Sequence, residues 1–328
     1  MTETAGAHRE RTVNGMAQID FGNTLVVANP AAHSGKNANA AREVEELLAS
    51  TGMTAAIGRH LTAGPGDATS LAAHSTDVDT IVAVGGDGLI HEVANGLVAL
   101  PRDKRPVLAV IPMGSGNDFA RTLGLRRNDA KGALEQLRQG RRKTIDLGRV
   151  STDAGTSIHF VQTLSFGLDA AIALDTTRRR AGGSLQRGSG LFVSSGLRIM
   201  ATAHKGYPCT MTLGESSPRE LRELILAVQN GPTYGGGFRV CPHARPDDGL
   251  LDICFNVRRP PTPALLCLFG LARRGWHTAS RAIESQQLTQ LELDFAERQP
   301  PCQIDGEWLG GRHFSIEVEP GALDVIFP

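Results

Sequence analysis

Two different patterns of apolar and polar positions divide the chain. In the first 144 residues, short apolar runs alternate with segments whose apolar residues recur with helical spacing. This alternation is typical of βαβ units and predicts a parallel sheet flanked by helices. The predicted strands cover residues 24–28, 54–60, 80–84 and 107–111, and predicted helices cover 37–49 and 66–74.

The pattern changes near residue 145. From there on, short segments of alternating apolar and polar residues are separated by Gly, Pro and Asp, which predicts a β-rich, sandwich-like domain. We therefore predict a flexible tail over 1–20, an α/β domain over 21–144 and a β-sandwich over 145–319, with 320–328 as a candidate last strand of the α/β domain. The predicted strands of the sandwich cover 157–164, 208–213, 223–229, 251–257, 289–295, 313–318 and 323–327, and its predicted helices cover 169–180, 188–204 and 263–280.

Composition and charge narrow the possible functions. Lys plus Arg and Asp plus Glu number 34 each, so no global field attracts nucleic acid or an acidic membrane. Aromatic residues make up 5% of the chain and are not interleaved with basic runs, which argues against nucleic-acid binding. The five cysteines are widely spaced without a CxxC pair, which fits a reducing cytoplasm. The longest apolar stretch, 264–272, is far shorter than the ~20 residues that span a bilayer.

A glycine-rich turn follows the apolar run 80–84. Its sequence, Gly85-Gly86-Asp87-Gly88, places a carboxylate among nearly bare backbone, which a polyphosphate and its metal ion can approach closely. The helix predicted to start there directs unpaired N–H groups at an anion. Such turns also occur in folds that bind no phosphate, and Asp is a common helix cap. On its own, the turn leaves a phosphate site and a plain helix cap as alternatives.

A second glycine-rich loop favours the phosphate site. The apolar run 107–111 is followed by PMGSGND over residues 112–118. Loops that follow two successive parallel strands meet at the carboxyl edge of the sheet, where open α/β folds bind ligands. We therefore predict one nucleotide phosphate site that uses both loops.

A third turn offers backbone donors and one cation. The first strand ends at Asn29-Pro30, and Ser34-Gly35-Lys36 open the first helix. Pro30 fixes the turn, the helix start presents N–H groups, and Lys36 supplies a point charge to an anion. Because the GxxxxGK[ST] spacing of a P-loop is absent, this feature alone is more typical of turn chemistry than of a ligand site.

The order of these motifs resembles the diacylglycerol kinase catalytic family, which includes bacterial lipid kinases and sphingosine kinases. The resemblance continues in SFGLD over 165–169, RPDDGLLD over 245–252 and IDGE over 304–307, and it covers about residues 24–327. It implies that ATP binds the α/β domain and that the β-sandwich binds the acceptor. The residues predicted to bind the nucleotide are Asn29, Pro30, Ser34, Gly35, Lys36, Thr62, Gly85, Gly86, Asp87, Gly88, Glu92, Gly114, Ser115 and Asn117.

The resemblance also implies roles for three carboxylates. Asp87 acts on the phosphates through magnesium or water, since phosphoryl transfer depends on positioning and charge neutralisation. Asp305 and Glu307 flank a tight turn at Gly306, and one of them is expected to accept the hydroxyl proton, with Glu307 favoured. Without the other motifs, an acidic turn between two strands is the better interpretation of this element.

A second, structural magnesium site is implied by the RPDDGLLD segment. The resemblance assigns it the carboxylate of Asp248 and the carbonyl oxygens of Arg245 and Leu250, because hard cations prefer oxygen ligands. An acidic type I turn is the competing interpretation.

Two positions depart from the family's common form, GGDGT followed by Asn-Glu. Leu89 stands where Thr is usual, and His91 stands where Asn is frequent. Since Leu cannot donate to a phosphate, we expect altered nucleotide affinity or compensation by backbone N–H groups. An NAD kinase, a small-alcohol kinase and a catalytically silent nucleotide- or lipid-binding regulator remain alternatives.

The leading hypothesis is an ATP-dependent, magnesium-assisted kinase that phosphorylates a hydroxyl of diacylglycerol or a similar lipid. We expect a cytoplasmic protein with peripheral contact at the inner membrane face, for which the arginines of 178–187 and the apolar segment 264–272 are candidates. No nucleic-acid partner is expected, and a homodimer is left open.

Overall fold

The computed structural model describes residues 10–13, 16–30, 36–182, 188–202 and 206–328. The chain forms two compact units, one built from Met1–Ile145 with Gly321–Pro328 and the other from Asp146–Pro320. In the described part of the chain, no helix is both long enough and apolar enough to cross a membrane.

The first unit alternates strands and helices, as the sequence predicts. Each predicted strand and helix of this region is confirmed, with ends that differ by at most a few residues. Its elements are β1 (Glu10–Val13), β2 (Met16–Ile19), β3 (Gly22–Ala28), α1 (Lys36–Thr51), β4 (Thr54–Leu61), α2 (Asp67–Ala73), β5 (Thr80–Gly85), α3 (Asp87–Val98), β6 (Val107–Pro112), α4 (Asp118–Leu123) and α5 (Ala130–Arg138).

The parallel sheet of this unit has the order β4-β3-β5-β6. All three neighbouring pairs are parallel, and β5 and β6 are buried along their full length. Burial on both faces explains why these two strands are continuous apolar runs rather than alternating ones. Their carboxyl ends lie together, since Gly85 pairs with Pro112. The last strand of the chain adds to β6 in parallel, with Val325 opposite Leu108.

The second unit consists of strands with three helices. Its elements are β7 (Arg141–Thr152), β8 (Ser157–Phe160), β9 (Thr163–Gly167), α6 (Leu168–Ala181), α7 (Gly188–Thr202), β10 (Tyr207–Leu213), β11 (Arg219–Glu223), β12 (Ile225–Gln229), β13 (Leu251–Asn256), α8 (Thr262–Ala272), β14 (Ile283–Leu288), β15 (Gln290–Asp294), β16 (Cys302–Ile304), β17 (Glu307–Trp308) and β18 (His313–Phe327). Strands β7 and β18 contribute residues to both units.

Two antiparallel layers form the sandwich of the second unit. One has the order β14-β13-β12-β9-β16-β17, and the other contains β11-β10-β15-β18. Aromatic rings from both layers pack together: the ring of Phe166 lies 4.8 Å from that of Phe314 and 5.7 Å from that of Phe295. The predicted sandwich-like fold class is therefore confirmed.

The two faces of β12 bury different cores. Leu226 and Val228 belong to the core of the sandwich, whereas Ala227 belongs to a second core that includes residues of α6, α7 and α8. Strand side chains alternate between faces, so this one strand separates the two cores. The helices cover the outer face of the layer.

Four predictions of secondary structure need correction. Residues 10–13 and 16–19 form an antiparallel hairpin rather than a flexible tail. The single predicted strand 157–164 is two strands, β8 and β9, because the backbone at 161–163 is bound by a carboxylate described below. The predicted strands 313–318 and 323–327 are one strand, with Gly321 at φ 58°. The predicted helix 263–280 ends at Ala272 because Gly275 adopts φ 79°.

Candidate functional site

The two glycine-rich loops of the first unit are in direct contact, as predicted. The amide of Met113 donates to the carbonyl oxygen of Gly85 at 2.8 Å. A Cβ atom placed on Gly114 would lie 2.4 Å from the Cα atom of Gly86. Side chains at these positions would force the loops apart, so the glycines are required by the close approach of two backbones.

Asp87 connects the two loops. Its Oδ1 atom accepts a hydrogen bond from the amide of Phe119 in α4 at 3.1 Å, so a carboxylate that follows β5 caps the helix that follows β6. A Cβ atom on Gly116 would lie 2.8 Å from Asp87 Oδ2. The carboxylate is half-buried and is held among backbone that carries almost no side chains.

Asn117 shapes the second loop. It is buried in the left-handed conformation, with φ 54°. Its Oδ1 accepts from the amide of Gly114 at 2.8 Å, and its Nδ2 donates to the carbonyl of the same residue at 2.9 Å. The side chain predicted as a nucleotide ligand therefore holds the loop in shape, while Ser115 between them is exposed.

The turn after β3 lies next to the end of β4. Thr62 is buried, and its amide donates to the carbonyl of Ala28 at 2.9 Å. Residues 29–30, which follow β3 directly, are half-buried. Of the other residues predicted in this turn, Ser34 and Gly35 lie outside the described residues, as does the side chain of Lys36.

Glu92 lies one turn along α3 from the glycine-rich loop. Its Oε2 accepts from the amide of Ala68 at 3.2 Å, and its carbonyl accepts from the hydroxyl of Thr69 at 3.1 Å. The predicted nucleotide ligand therefore also serves as a contact between α2 and α3.

The two departures from the family's common form are both buried. Leu89 is 8% exposed and packs over Gly85, where an added Cβ atom would lie 2.6 Å from a Leu89 methyl group. His91 is also buried, and its carbonyl accepts from the side chain of Asn95 at 3.0 Å. Position 89 thus contributes apolar packing beneath the loop, where the family's Thr would place a hydroxyl.

In the second unit, Asp305 is a structural carboxylate. It is 8% exposed, and its two oxygens accept hydrogen bonds from three consecutive amides: Val161 at 2.8 Å, Gln162 at 3.0 Å and Thr163 at 2.9 Å. These bonds replace ladder bonds between 160 and 163 and explain the break between β8 and β9. They join the turn of the IDGE motif to a segment more than 140 positions earlier in the chain.

Glu307 differs from Asp305 in exposure. It is the first residue of β17 and is exposed. The turn before it is fixed by the amide of Gly306, which donates to Gln303 Oε1 at 2.7 Å, and Gly306 adopts φ 96°. The conformation of the turn is therefore fixed by Gly306 and Gln303, and the Glu307 side chain is exposed to solvent.

The RPDDGLLD segment brings two carboxylates to one amide. The Nε2 atom of Gln287 lies 3.2 Å from Asp248 Oδ2 and 3.3 Å from Asp252 Oδ2. Burial raises the pKa of Asp252 to about 6, the hydrogen bond from Gln287 opposes this shift, and the charge of Asp248 adds to it. Asp248 Oδ1 also accepts from the amide of Leu250 at 3.2 Å. Among the described residues, no group of three or more His, Cys, Asp or Glu side chains forms a metal cluster.

Sequence reasoning missed Asp146, which anchors this segment. Its Oδ2 accepts from the amide of Gly249 at 2.7 Å, and its amide donates to the carbonyl of Pro246 at 2.7 Å. Its carbonyl accepts from Asn230 Nδ2 at 2.7 Å. A carboxylate within an otherwise apolar segment, 145–148, is the signal that identifies such a residue in sequence.

Both halves of the chain match known protein families. Residues 23–150 match the diacylglycerol kinase catalytic domain, and residues 162–327 match the YegS C-terminal NAD kinase beta sandwich-like domain. A relative from Cronobacter sakazakii described as "Probable lipid kinase YegS-like" is 31% identical over 269 residues, which are 80% of this chain and 83% of the relative. A Yersinia pestis protein with the same description is 30% identical over 251 residues, 76% of this chain and 79% of that protein.

A solved structure has the same fold. It is described as "a putative diacylglycerol kinase" from Bacillus anthracis, with 25% identity and a TM-score of 0.73 over 93% of this chain and 97% of that chain. The family matches cover the glycine-rich loops and the sandwich in the order found here, and they confirm the predicted resemblance. The chain therefore belongs to the diacylglycerol kinase family of lipid kinases, phosphotransferases that act on an alcohol group.

Proposed function

We propose that the protein transfers the γ-phosphate of ATP to a hydroxyl group of diacylglycerol or a similar lipid, with magnesium bound and with Glu307 as the general base. The observation that carries this proposal is the contact between the two glycine-rich loops around Asp87. Backbone amides and one fixed carboxylate are the groups that phosphoryl transfer uses most, since it depends on positioning and charge neutralisation.

Backbone amides at the start of α3 hold the phosphates in this proposal. Gly86 is the N-cap of α3, and no side chain caps the helix there. The first N–H groups of a helix attract anions, helped by the helix dipole. Because Leu89 is buried, backbone donors take the place of the hydroxyl that Thr supplies in the common family motif.

The site around Asp87 fits a magnesium ion, which the Asp87 carboxylate would help to hold. Magnesium in kinases is bound by one or two carboxylates while phosphate oxygens and water complete its shell. One oxygen of Asp87 accepts from Phe119, so the orientation of the carboxylate is fixed before the ligand binds. Magnesium neutralises charge on the phosphates; the protein's part is to hold Asp87 and the amides in place.

Glu307 is the better candidate for the general base than Asp305. A base must reach the substrate's hydroxyl proton. The Asp305 carboxylate accepts from three amides and is buried, whereas the Glu307 carboxylate is exposed. We assign proton acceptance to Glu307 and placement of its turn to Asp305.

Asp248 is the proposed carboxylate ligand of a structural magnesium ion, with the carbonyl oxygens of Arg245 and Leu250. Oxygens of Asp248 and Asp252 both lie within 3.3 Å of Gln287 Nε2, so two carboxylates lie close together, which fits a cation. Thermal unfolding with and without magnesium, in the parent protein and Asp248→Asn, tests this site. The parent alone is expected to gain stability from the ion; an equal gain in both proteins would contradict the assignment.

The lipid acceptor implies that the protein meets a membrane surface, and we propose a peripheral contact at the inner face through α8 and the residues that follow it, 273–276. Leu266 and Trp276 are 39% and 59% exposed, and the guanidinium of Arg274 lies 5.1 Å from the Trp276 ring. Apolar side chains beside arginines suit an anionic lipid interface. Of the arginines predicted for this role, Arg187 lies outside the described residues. A homodimer remains a proposal to be tested by sedimentation.

The test of the proposed function is transfer of labelled γ-phosphate from ATP and magnesium to diacylglycerol, sphingosine, monoacylglycerol and NAD. The parent protein is expected to label a lipid, while Asp87→Asn and Glu307→Gln do not. Exposed Asp103→Asn and Glu215→Gln are the matched controls and are expected to behave as the parent. Labelling of NAD alone, or ATP binding without transfer to any acceptor, would contradict the proposal and favour an NAD kinase or a silent regulator.

A further inference from the structure

A cavity lies in the second unit between the outer face of the strand layer and the three helices. Its wall is mostly hydrocarbon and includes three aromatic rings, those of Phe192, Phe238 and Phe269. The rings pack on each other, with centroids 4.9 Å apart for Phe192 and Phe238 and 5.0 Å apart for Phe238 and Phe269. This wall selects against strongly hydrated ligands.

Three polar atoms in the cavity wall have no hydrogen-bond partner. They are Asp169 Oδ2, the hydroxyl of Tyr234 and His277 Nδ1, and all three are inaccessible to solvent. Leaving such groups unpaired is unfavourable, so their presence in an apolar wall calls for a polar ligand atom or water. Tyr234 is 4% exposed, which leaves the cavity as the place where that partner can bind.

The charge state of the wall suits an uncharged ligand. Burial raises the pKa of Asp169 to about 7, and a hydrogen bond with Ser165 opposes the shift. Burial lowers the pKa of His277, which also lines the cavity, so the ring is neutral. A hydroxyl group can donate or accept and therefore pairs with Asp169 in either protonation state.

The size of the cavity limits the ligand to one chain. Its volume is about 50 Å³, and a water-sized group occupies roughly 10–15 Å³ on this scale. The space accommodates a short segment of one hydrocarbon chain, and two chains would require the aromatic wall to move.

Helix α6 connects this cavity to the turn that carries the proposed base. Asp169 is in its first turn, and Thr177, eight residues later, donates from its hydroxyl to the carbonyl of Gly306 at 3.2 Å. At ~1.5 Å per residue, these two positions are about 12 Å apart along the helix. The polar groups of the cavity are therefore separate from the place where Glu307 would accept a proton.

We propose that this cavity binds a single hydrocarbon chain of the acceptor and that a hydroxyl group on that chain hydrogen-bonds to Asp169 and Tyr234. This inference rests on the proposed lipid kinase function and names its substrate class as hydroxylated single-chain lipids. The bound hydroxyl is distinct from the one that is phosphorylated.

Displacement of the neutral fluorescent probe N-phenyl-1-naphthylamine tests the proposal without ATP. The competitors are dodecan-1-ol, its methyl ether, dodecan-1-amine and dioctanoylglycerol. In the parent protein the alcohol is expected to bind about tenfold more tightly than the ether, the size of one well-formed hydrogen bond. Asp169→Leu is expected to remove this preference, because only the alcohol can donate to the carboxyl oxygen. Tyr234→Phe is expected to weaken the alcohol and the ether alike, because both oxygens can accept from the tyrosine hydroxyl. Ala272→Leu, which fills the cavity, is expected to weaken all competitors.

Tyr207→Phe is the matched control, because Tyr207 is the other tyrosine of the chain and does not line the cavity. It is expected to bind the alcohol and the ether as the parent does, and circular dichroism confirms that each variant is folded. Equal binding of alcohol and ether by the parent protein would overturn the proposal and assign the polar groups to buried water. Tighter binding of the amine than of the alcohol would contradict recognition of a hydroxyl group. Tighter binding of dioctanoylglycerol than of the alcohol would contradict binding of a single chain. If the expected binding is found but the kinase assay gives no product, the proposed function is contradicted and the binding proposal is not.

Discussion

The glycine-rich loops of the first unit and the cavity of the second use opposite chemistry. In the loops, side chains are absent where Gly86 and Gly114 meet, and backbone amides with one fixed carboxylate remain. In the cavity, side chains form the wall, and Asp169, Tyr234 and His277 bring unpaired polar atoms to it. Phosphates are common to every ATP, whereas the acceptor differs between kinases. The volume of the cavity side chains can therefore change, and with it the acceptor, while the glycine-rich loops stay the same.

The largest expected effect is on the loop side of this comparison. Asp87→Asn keeps an oxygen that can accept from Phe119 but removes the negative charge. We expect kcat/KM to fall by about 10³-fold, since charge neutralisation on the phosphates is a principal part of phosphoryl transfer. Steady-state transfer of labelled phosphate checks this. Activity within threefold of Asp103→Asn would remove Asp87 from the proposed mechanism.

The next prediction distinguishes the roles of two carboxylates in the IDGE turn, Asp305 and Glu307. Glu307→Gln is expected to lower kcat by roughly 10²–10⁴-fold, the usual contribution of a positioned base, without changing the melting temperature. Asp305→Asn is expected to lower the free energy of unfolding by ~1–3 kcal/mol, because buried amides lose a charged acceptor. Kinetics and urea unfolding of both variants give the comparison. A stable but inactive Asp305→Asn would reverse the two assignments.

Gly114→Ala tests the close approach of the loops. The added Cβ atom would lie 2.4 Å from Gly86 Cα and 2.6 Å from Asn117 Oδ1. We expect a loss of ~1–3 kcal/mol in the free energy of unfolding from this overpacking, and weaker ATP binding measured by calorimetry. Gly270→Ala in α8 is the control, since nothing lies within 4 Å of the added atom. Equal stability of both variants would contradict the account of the loops.

A smaller effect of pH is expected on the cavity side. The pKa of Asp169 is about 7 in the folded protein, above the ordinary value of 3.8, so the folded state holds its proton more tightly than the unfolded state does. Its contribution to stability is therefore complete below about pH 4 and is lost as pH rises through about 7. Compared with Asp169→Asn, the parent is expected to lose ~2 kcal/mol of its free energy of unfolding between about pH 5 and about pH 6.5. Parallel curves for the two proteins in urea unfolding would show that Asp169 titrates normally.

The first unit was predictable because its signals are local. Strands β5 and β6 are continuous apolar runs, and the glycines follow them directly, so hydrophobic pattern and turn chemistry place both loops at one sheet edge. Leu89 was recognised as a departure, and its burial gives the reason it can be tolerated. The hairpin of β1 and β2 also had a signal in sequence, since Asn14-Gly15 between the two strands is a favoured hairpin dipeptide.

The second unit was less predictable because its decisive contacts are distant in sequence. Asp305 binds amides more than 140 positions away, and no local pattern distinguishes it from Glu307. Asp169 lies in a recognised motif, but its unpaired oxygen depends on walls from other helices and strands. The continuous strand β18 was divided in prediction because Glu319-Pro320-Gly321 is typical of a turn, and the strand passes through it with Gly321 in the left-handed conformation.

The most direct test of this division of roles is to measure ATP affinity and acceptor KM together in Tyr234→Phe. The account predicts an acceptor KM raised about tenfold, the cost of one lost hydrogen bond, with the dissociation constant of ATP unchanged from that of the parent protein and Tyr207→Phe. A variant in which ATP affinity falls as much as acceptor affinity, or in which neither changes, would contradict the account.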